Sequence, residues 1–297
     1  MGRIVVIDGT RCVPEEARVS VYDRGFLYGD SVFETVRTYG AVPFALAEHV
    51  ARLGRSAALV GIRLPLSEPA LGAEIAQAVA AAGNPESYAR IMLSRGSGPL
   101  GLDPGLASAP LRVVLVEPLP PAPPEPYRDG IAVIAVHTVR ASDAAHSAKL
   151  GNYLASALAL RDARAAGASD ALVLDRAGGI VEGTTANVFF VRRQRPDGPP
   201  VLVTPALEAG VLEGITRAVV LRVAQEEGLQ VRFAAPTVAE ARQTDEVFLT
   251  SSVREIVPVV RIDGEPVGAG RPGEITRALH RALRRHAGAG DAPMPWE

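Results

Sequence analysis

A run of prolines near the middle of the chain divides the sequence into two parts. Residues 118–126 read PLPPAPPEP and contain six prolines. Proline lacks the backbone N–H that a helix interior or a central strand needs, so this run favours an extended connection. We therefore predict a small α/β domain over residues 1–120, a linker over 121–128 and a larger domain over 129–297.

Short apolar runs and longer amphipathic segments alternate on both sides of this boundary. The first part predicts strands or hairpins at 3–9, 18–25, 31–40, 88–96 and 111–117, and helices at 47–60 and 68–82. The second part predicts strands at 130–139, 170–175, 179–191 and 246–250, and helices at 152–166, 216–227 and 274–286. With 29 glycines and 24 prolines to form turns, the order favours a mixed α/β fold over a helical bundle.

The charge balance and the cysteine count exclude several classes of protein. Lysine plus arginine number 31 and aspartate plus glutamate 33, so no overall positive field attracts nucleic acid or an acidic membrane surface. No stretch approaches the roughly 18 apolar residues of a membrane helix, and the first residues do not read as an export signal. Because Cys12 stands alone, we predict no disulfide, no metal site and a cytoplasmic location.

A glycine pattern in the first part raises the possibility of a dinucleotide site. Gly96, Gly98 and Gly101 match G-x-G-x-x-G after a predicted strand. The pattern also requires a helix after its third glycine, and the short connection that follows contains two prolines. We therefore expect a wide loop followed by an antiparallel strand, which argues against a nicotinamide-binding protein.

The most informative single residue is the only lysine. Thirty of the 31 basic residues are arginine, and Lys149 is the exception. A primary amine, unlike a guanidinium, can lose its proton and condense with an aldehyde, so Lys149 is a candidate for covalent catalysis. Tyr153 lies four residues later and could face the same cleft. The alternative is a surface lysine beside an ordinary helix start, with Tyr153 in the core.

Other polar signals suggest an acid near a ligand and an anion site. Glu182 and Asn187 stand among small residues in GGIVEGTTANVFFV, where a carboxylate could pair with a protonated ring nitrogen or simply face water. A predicted helix entered through Gly214 leaves the amides of Ile215 and Thr216 available to phosphate. Hydroxyl residues at 250–252 and the helix residue Arg52 are further candidates for an anion site.

Six motifs in a fixed order carry a family resemblance. They are YGDSVFETVR (28–37), EHVARL (48–53), SAKLGNY (147–153), VEGTTANVF (181–189), EGITR (213–217) and SSVREIVPV (251–259). Over residues 4–285 the chain resembles the class IV, or fold type IV, pyridoxal-phosphate enzymes. That family contains branched-chain and D-amino acid aminotransferases and 4-amino-4-deoxychorismate lyases. The resemblance implies a small α/β domain and a larger pseudo-barrel domain, with the cofactor between them.

The resemblance also implies roles for individual residues. Lys149 would form a Schiff base with pyridoxal 5'-phosphate and then move the substrate proton. Glu182 would keep the pyridine nitrogen protonated, and Tyr153 would hydrogen-bond the ring hydroxyl. The groups implied to hold the phosphate are Arg52, the amides of Ile215 and Thr216, and Ser252. The residues implied to contact substrate are Tyr28, Phe33, Tyr88, Arg90 and Val253.

The motifs favour one activity and leave two alternatives. Tyr88 and Arg90 match residues that engage the substrate carboxylate in branched-chain aminotransferases, whereas residues 99–102 lack the arginine and histidine of the usual D-amino acid enzymes. We therefore expect transfer of an amino group from a hydrophobic L-amino acid to 2-oxoglutarate. The alternatives are 4-amino-4-deoxychorismate lyase chemistry and D-amino acid or amine transamination. The resemblance implies a homodimer with sites at the interface, where Tyr28 or residues 101–103 would reach the partner's cleft.

Overall fold

The structure, a computed structural model, describes residues 2–137, 147–193 and 198–297. The described residues form two compact units. The N-terminal unit comprises those of Met1–Pro120 and Ser142–Tyr153, and the C-terminal unit comprises those of Pro121–Ala141 and Leu154–Glu297. Lys149 and Tyr153 are thus grouped with the N-terminal unit. The domain boundaries proposed from the sequence stay a prediction.

The N-terminal unit contains an antiparallel sheet and three helices. Its strands are β1 (Ile4–Ile7), β2 (Thr10–Cys12), β3 (Ser31–Tyr39), β4 (Val42–Pro43), β5 (Ser87–Ser94) and β6 (Leu111–Pro118). Its helices are α1 (Arg24–Tyr28), α2 (Leu46–Leu59) and α3 (Glu68–Ala82). The strands lie in the order β2-β1-β6-β5-β3-β4, and every neighbouring pair is antiparallel.

One face of this sheet packs on α2 and α3, because alternate residues of each strand point to the same side. The buried core contains Val32 and Val36 of β3, Ile91 and Leu93 of β5, Leu53 of α2, and Leu71 and Ile75 of α3. Phe33 and Arg90 project from the opposite face, since they alternate with these core residues. The sheet thus separates an apolar core from a face that carries polar candidates.

The C-terminal unit combines nine strands with five helices in its described residues. The strands are β7 (Ile131–His137), β8 (Asp170–Leu174), β9 (Ile180–Gly183), β10 (Asn187–Arg193), β11 (Pro200–Thr204), β12 (Gln230–Phe233), β13 (Glu246–Ser251), β14 (Glu255–Ile262) and β15 (Glu265–Pro266). The helices are α4 (Glu125–Arg128), α5 (Leu154–Ala165), α6 (Ile215–Glu226), α7 (Val238–Arg242) and α8 (Glu274–His286).

Six of these strands close into a barrel-like ring. The path β10-β13-β14-β7-β8-β9 returns to its start because β9 pairs with β10 through Glu182 and Asn187. The interior holds apolar side chains, among them Leu172, Val188, Phe190, Leu249 and Val257. The ring and the mixed α/β content confirm the predicted fold class. The closing pair also places two candidate site residues opposite each other.

Most predicted elements are present, and two of the missed strands share a cause. Strands β1, β3, β5, β6, β7, β8 and β13 and helices α2, α3, α5, α6 and α8 lie where the sequence predicted them. The predicted strand at 130–139 is observed to His137, and its last two residues lie outside the described residues. Strands β11 and β14 were missed because each contains a proline, Pro200 and Pro258, which lowers strand propensity.

The predicted strand at 18–25 is wrong. Val19 and Val21 are 48% and 65% exposed, so their alternation covers no core. Asp23 instead begins α1, because its side chain accepts a hydrogen bond from the amide of Gly25 at 2.8 Å. This N-terminal cap outweighs the strand preference of the valines.

Two further expectations need correction. The predicted strand at 179–191 is two strands, β9 and β10, joined by a turn that Thr184 stabilises through a 2.6 Å hydrogen bond to Asp170. The proline run does not stay extended to residue 126, because α4 begins at Glu125. Pro126 lies in the first turn of α4, where its missing N–H costs no helical hydrogen bond.

The glycine pattern forms a loop, as expected. Strands β5 and β6 pair antiparallel over their full length, which a dinucleotide-binding crossover does not allow. After Gly101 the chain makes only a 3-10 turn at Pro104–Leu106, where the side chain of Asp103 accepts from the amide of Gly105. No long helix begins between Gly101 and β6, a stretch that the structure describes throughout.

Candidate active site

Lys149 lies along the edge of β3 and is fixed by three hydrogen bonds of the backbone in its neighbourhood. Its amide donates to Ser56 Oγ at 3.1 Å, and its carbonyl accepts from the amide of Phe33 at 3.0 Å. The amide of Gly151 donates to the carbonyl of Ser31 at 2.8 Å. A Cβ on Gly151 would overlap Ser31 Oγ, so only glycine permits this close approach. The backbone under the lysine is therefore held firmly.

The amine of Lys149 lies beside two aromatic rings, and one of these rings also contacts Arg90. Nζ donates to the hydroxyl of Tyr153 at 3.2 Å and lies 4.6 Å from the ring centre of Phe33. The two rings meet edge to face at 5.1 Å. The guanidinium carbon of Arg90 lies 3.9 Å from the ring centre of Phe33. The sequence reasoning that named Lys149, Tyr153, Phe33 and Arg90 thus corresponds to one cluster.

Arg52 is buried and oriented by a carboxylate that the sequence reasoning overlooked. Its Nε and Nη2 donate to the two oxygens of Glu34, each at 2.7 Å. His49 lies 2.7 Å from the same carboxylate. Burial alone would raise the pKa of Glu34, but the hydrogen bonds from Arg52 and His49 outweigh it and lower the pKa to about 2. An acid at an inward position of β3 was the sequence signal for this pair.

We expect the substitution Glu34→Gln to destabilise the protein by about 3 kcal/mol at pH 7, because it leaves Arg52 buried without its counter-charge. The lowered pKa of Glu34 means that its contribution is complete above about pH 4.5 and is lost as the pH falls toward 2. Urea unfolding of both proteins at pH 7 and pH 3 measures the difference. The exposed neighbour variant Glu48→Gln is the control, and equal losses at the two pH values would contradict the assignment.

The other two predicted substrate residues of the N-terminal unit lie on β5 and at the end of α1. Tyr88 is on β5 two residues before Arg90, so both project from the same face of the sheet. Tyr28 is 38% exposed at the end of α1, and its hydroxyl accepts from the amide of Gly101 at 3.1 Å. Arg24 fixes the same loop by donating to the carbonyls of Gly101 and Leu102.

In the C-terminal unit, Glu182 lies at the closure of the barrel. It pairs with Asn187 across β9 and β10, and its Oε2 accepts from the amide of Leu212 at 3.4 Å. The side chain of Asn187 donates to the carbonyl of Leu212 at 2.9 Å. The segment before α6 is therefore bound to both residues, and this contact fixes the orientation of the carboxylate.

The start of α6 has the features of an anion site. Gly214 begins α6 close to the side chain of Asn187, and a Cβ at this position would overlap Oδ1 of Asn187. Because glycine has no side chain, it cannot cap the amides of Ile215 and Thr216. Arg217, 5% exposed, follows in the same turn, and its Nε is among the few buried polar atoms without a partner in the described chain. Burial lowers the pKa of Arg217, with Glu213 and Glu208 opposing it. Positive charge and unbonded donors both favour an anion here.

Ser252 and Val253 occupy the tight turn between β13 and β14. Thr250, two residues before Ser252, pairs with Asn187 on the adjacent strand β10, and its buried hydroxyl has no partner among the described residues. In the same turn, the carbonyl of Arg254 accepts from the hydroxyl of Tyr127 at 3.1 Å. Asn187 of β10 therefore lies between Thr250 of β13 and Glu182 of β9 in the ring.

A buried cluster supports this turn from the side of α8. Glu255 has a left-handed backbone, with φ of 57°, and is only 2% exposed. Its carboxylate binds His280 Nε2 at 2.5 Å and Arg284 Nε at 2.9 Å. Trp296 packs edge-on against His280 with ring centres 5.2 Å apart. These contacts offset the strain of a non-glycine residue in that conformation.

Each unit, taken by itself, carries groups that fit parts of pyridoxal phosphate. The N-terminal unit supplies a primary amine beside a phenol, and the C-terminal unit supplies a carboxylate and an uncapped helix start with a buried cation. Those are the groups that an aldehyde, a ring hydroxyl, a pyridine nitrogen and a phosphate would need. In the part of the chain that the structure describes, no cluster of His, Cys, Asp and Glu could hold a metal. No described helix has both the length and the apolar character of a membrane span.

Comparison with known proteins gives the family. The pattern of the family described as amino-transferase class IV matches residues 31–262. The chain is 38% identical over 282 residues to a putative branched-chain-amino-acid aminotransferase of Methanocaldococcus jannaschii, covering 94% of this chain and 95% of that one. It is 31% identical over 280 residues to a D-alanine aminotransferase of Bacillus licheniformis, covering 94% and 95%.

A solved structure of similar fold supports the same family. A branched-chain amino acid aminotransferase from T.th., solved with pyridoxamine 5'-phosphate, has a TM-score of 0.89 and 33% identity, covering 96% of this chain and 94% of that one. The T.th. enzyme has also been solved with N-(5'-phosphopyridoxyl)-L-glutamate and with 4-methylvaleric acid. This chain belongs to the class IV aminotransferases and is a transaminase that depends on pyridoxal phosphate. It is similar to branched-chain aminotransferases, and D-alanine aminotransferases are also among its relatives.

Proposed function

We propose that this enzyme transfers the amino group of a hydrophobic or branched-chain L-amino acid to 2-oxoglutarate. The observation that carries the proposal is that the Lys149 amine and the Arg90 guanidinium both lie against the Phe33 ring. It combines a reactive amine, an apolar surface and a cation for a carboxylate. A relative solved with 4-methylvaleric acid and with a phosphopyridoxyl-glutamate adduct supports both substrate types.

Lys149 is the proposed reactive residue. The bound cofactor supplies an aldehyde that condenses with amines and a ring that withdraws electrons from the neighbouring carbon. Lys149 would hold the cofactor through Nζ, and its free amine would accept and return the proton at the substrate carbon. Tyr153 accepts a hydrogen bond from Nζ and so fixes the direction of the amine.

The remaining proposed cofactor residues are an acid for the pyridine nitrogen and a set of hydrogen-bond donors for the phosphate. Glu182, oriented by Leu212 and Asn187, accepts a hydrogen bond from the protonated pyridine nitrogen and keeps that nitrogen charged. The phosphate ligands are the amides of Ile215 and Thr216 at the start of α6, the hydroxyl of Ser252 and the guanidinium of Arg52. Glu34 sets the direction of Arg52 through two hydrogen bonds.

The substrate residues combine a cation with apolar surface. Arg90 pairs with the substrate carboxylate, and Tyr88 on the same face assists it. Phe33 and Val253, with Tyr28, form the surface for an apolar side chain. Leu100 and Leu102, 69% and 79% exposed, occupy the stretch where the family resemblance would place the arginine and histidine of the usual D-amino acid enzymes. This composition favours L-amino acids with a hydrophobic side chain.

A substrate comparison tests the proposal. The cofactor-loaded enzyme is given L-leucine, L-valine, D-alanine or D-leucine, each with 2-oxoglutarate, and the glutamate formed is measured. We expect the two branched-chain L-amino acids to be used at least about tenfold better than either D-amino acid, measured as kcat/KM. Faster turnover of D-alanine would replace the proposal with the D-amino acid activity that some relatives are named for.

We expect the substitution Arg90→Ala to lower kcat/KM for L-leucine roughly 100-fold, because it removes a charged hydrogen bond to the carboxylate. The fall should be much smaller for an amine substrate of the same shape without a carboxylate, such as isopentylamine. Arg63→Ala, an exposed arginine after α2, is the matched control. Equal losses for the amino acid and the amine would show that Arg90 has another role.

We further propose a homodimer. Apolar side chains are exposed on two segments of the N-terminal unit that hydrogen bonds tie together, at Val21, Tyr22, Phe26, Leu100 and Leu102. A surface of this kind marks a protein interface, and we infer that a second copy of the chain covers it. A monomeric mass by light scattering would refute this. Location in the cytoplasm stays a prediction.

A further inference from the structure

A cavity on the C-terminal unit, outside the proposed active site, combines apolar walls with three arginines. Its volume is about 410 Å³, which is within the range of small-molecule sites. The walls come from β10, β11, β12 and the segment that leads into α7. The lining residues that carry the inference are Phe190, Val201, Val203, Arg192, Arg193 and Arg232.

Strand register explains how the apolar floor and two of the cations share one face. On β10, Phe190 and Arg192 alternate, so they project to the same side, and they pair with Val203 and Val201 of β11. Arg232 of β12 pairs with Val203. Arg192 and Arg232 therefore flank the apolar floor from either side of β11. Two strand spacings, about 10 Å, separate their strands.

The three arginines of the lining outnumber its single acid, Glu240. None of Arg192, Arg193 and Arg232 makes a side-chain hydrogen bond or ion pair within the described part of the chain. Glu240 is the acid in the lining, and its carboxylate accepts from the backbone and hydroxyl of Thr237 in a capping box. The hydrogen bonds from Thr237 lower the pKa of Glu240, with a smaller effect from Arg192. The cavity therefore has a net positive charge.

We propose that this cavity binds a small organic dianion, two carboxylates joined by a short apolar chain. Each guanidinium offers a planar pair of donors that matches a carboxylate. One carboxylate pairs with Arg192 at the end of β10, and the other pairs with Arg232 across β11. The methylene chain lies on β11 against Val203, which is half-buried. This site is independent of the transamination chemistry and of the residues proposed for it.

Glutarate is the probe, because it has two carboxylates and three methylenes and no group that transamination could use. Isothermal titration of the cofactor-loaded full chain at low salt measures its binding. We expect the double variant Arg192→Gln/Arg232→Gln to bind glutarate at least about tenfold more weakly at one site, because two charged hydrogen-bond partners are lost. Pentanoate, with one carboxylate on a similar chain, should bind the wild-type site at least about tenfold more weakly than glutarate.

Two controls separate this site from general charge and from the active site. Arg222→Gln removes an exposed arginine of α6 that does not line the cavity, and it should leave glutarate binding unchanged. Arg192→Lys keeps the charge and should retain part of the affinity for glutarate. It is the variant to measure if the double variant folds poorly. Any glutarate bound at the active site persists in the double variant and is displaced by L-leucine.

Three results would overturn the proposal. They are the absence of a glutarate site other than the one that L-leucine displaces, equal weakening in Arg222→Gln and in the double variant, and pentanoate binding as tightly as glutarate. Inorganic phosphate binding at this cavity in place of glutarate would assign it to a simple anion and would also contradict the dianion proposed here.

Discussion

Replacing Lys149 with arginine is expected to lower the rate of amino-group transfer about 10⁴-fold or more. Arginine keeps the positive charge and a similar length, but its guanidinium does not lose a proton in a protein and cannot condense with an aldehyde. The loss therefore reports the amine chemistry and not the charge. Single-turnover reaction with L-leucine, followed by absorbance and by formation of the oxo acid, measures it.

The single lysine of the chain allows an unusually sharp control. Borohydride reduction of the loaded wild-type enzyme should fix one cofactor per chain, and peptide mapping should place it on Lys149. The variant Lys149→Arg/Arg161→Lys has the same composition, with its lysine on the exposed part of α5. We expect neither trapping nor turnover in that variant. Activity near the wild-type value would show that Lys149 is not the reactive residue.

The second large effect is expected for Glu182→Gln, which should slow the half-reaction roughly 10²- to 10³-fold. A neutral amide cannot stabilise a charged pyridine nitrogen, so the ring withdraws electrons less strongly from the reacting carbon. Because Leu212 and Asn187 hold the segment around Glu182, the amide should occupy nearly the same place as the carboxylate. Stopped-flow absorbance of the half-reaction measures the change.

Two comparisons make the Glu182 result specific. Glu182→Asp keeps the charge and should recover part of the lost rate, whereas Glu226→Gln removes an exposed acid of α6 and should have no effect. The affinity for pyridoxal phosphate should fall much less than the rate in Glu182→Gln, because the phosphate ligands remain. A rate within about threefold of wild type would contradict a role for Glu182 at the ring nitrogen.

Local sequence patterns predicted the elements whose burial follows a simple period. Helices α2 and α3 present an apolar stripe to one sheet, and their predicted limits match the structure within one or two residues. The strand predicted at 18–25 failed because its valines alternate without a core to cover. Strands β11 and β14 were missed because tertiary pairing outweighs the low propensity of their prolines.

Some residues of the candidate site could likewise be predicted from local sequence, and others could not. The chemistry of Lys149 was accessible from the sequence because a primary amine is unique in this chain. The buried acid Glu34 was overlooked, because its partners His49 and Arg52 lie on α2 and only the folded unit brings them together. Long-range contacts of this kind carry no local periodic signal.

The closure of the barrel is the second feature that the sequence could not supply. Glu182 and Asn187 were both noted as polar residues among glycines and hydroxyls, but one strand was predicted where β9 and β10 form a pair. Their pairing follows from the turn that Asp170 and Thr184 stabilise, and Asp170 is 14 residues earlier in the chain than Thr184. The orientation of Glu182 is therefore a tertiary property.

The most direct test of the central claim is a half-reaction with one substrate. The cofactor-loaded enzyme is mixed with L-leucine in the absence of any oxo acid, and the visible absorption of the cofactor is followed. We predict that the band of the lysine-bound cofactor disappears, that the pyridoxamine form replaces it, and that about one 4-methyl-2-oxopentanoate forms per chain. An unchanged band, with cofactor demonstrably bound, would contradict transamination of hydrophobic L-amino acids by Lys149.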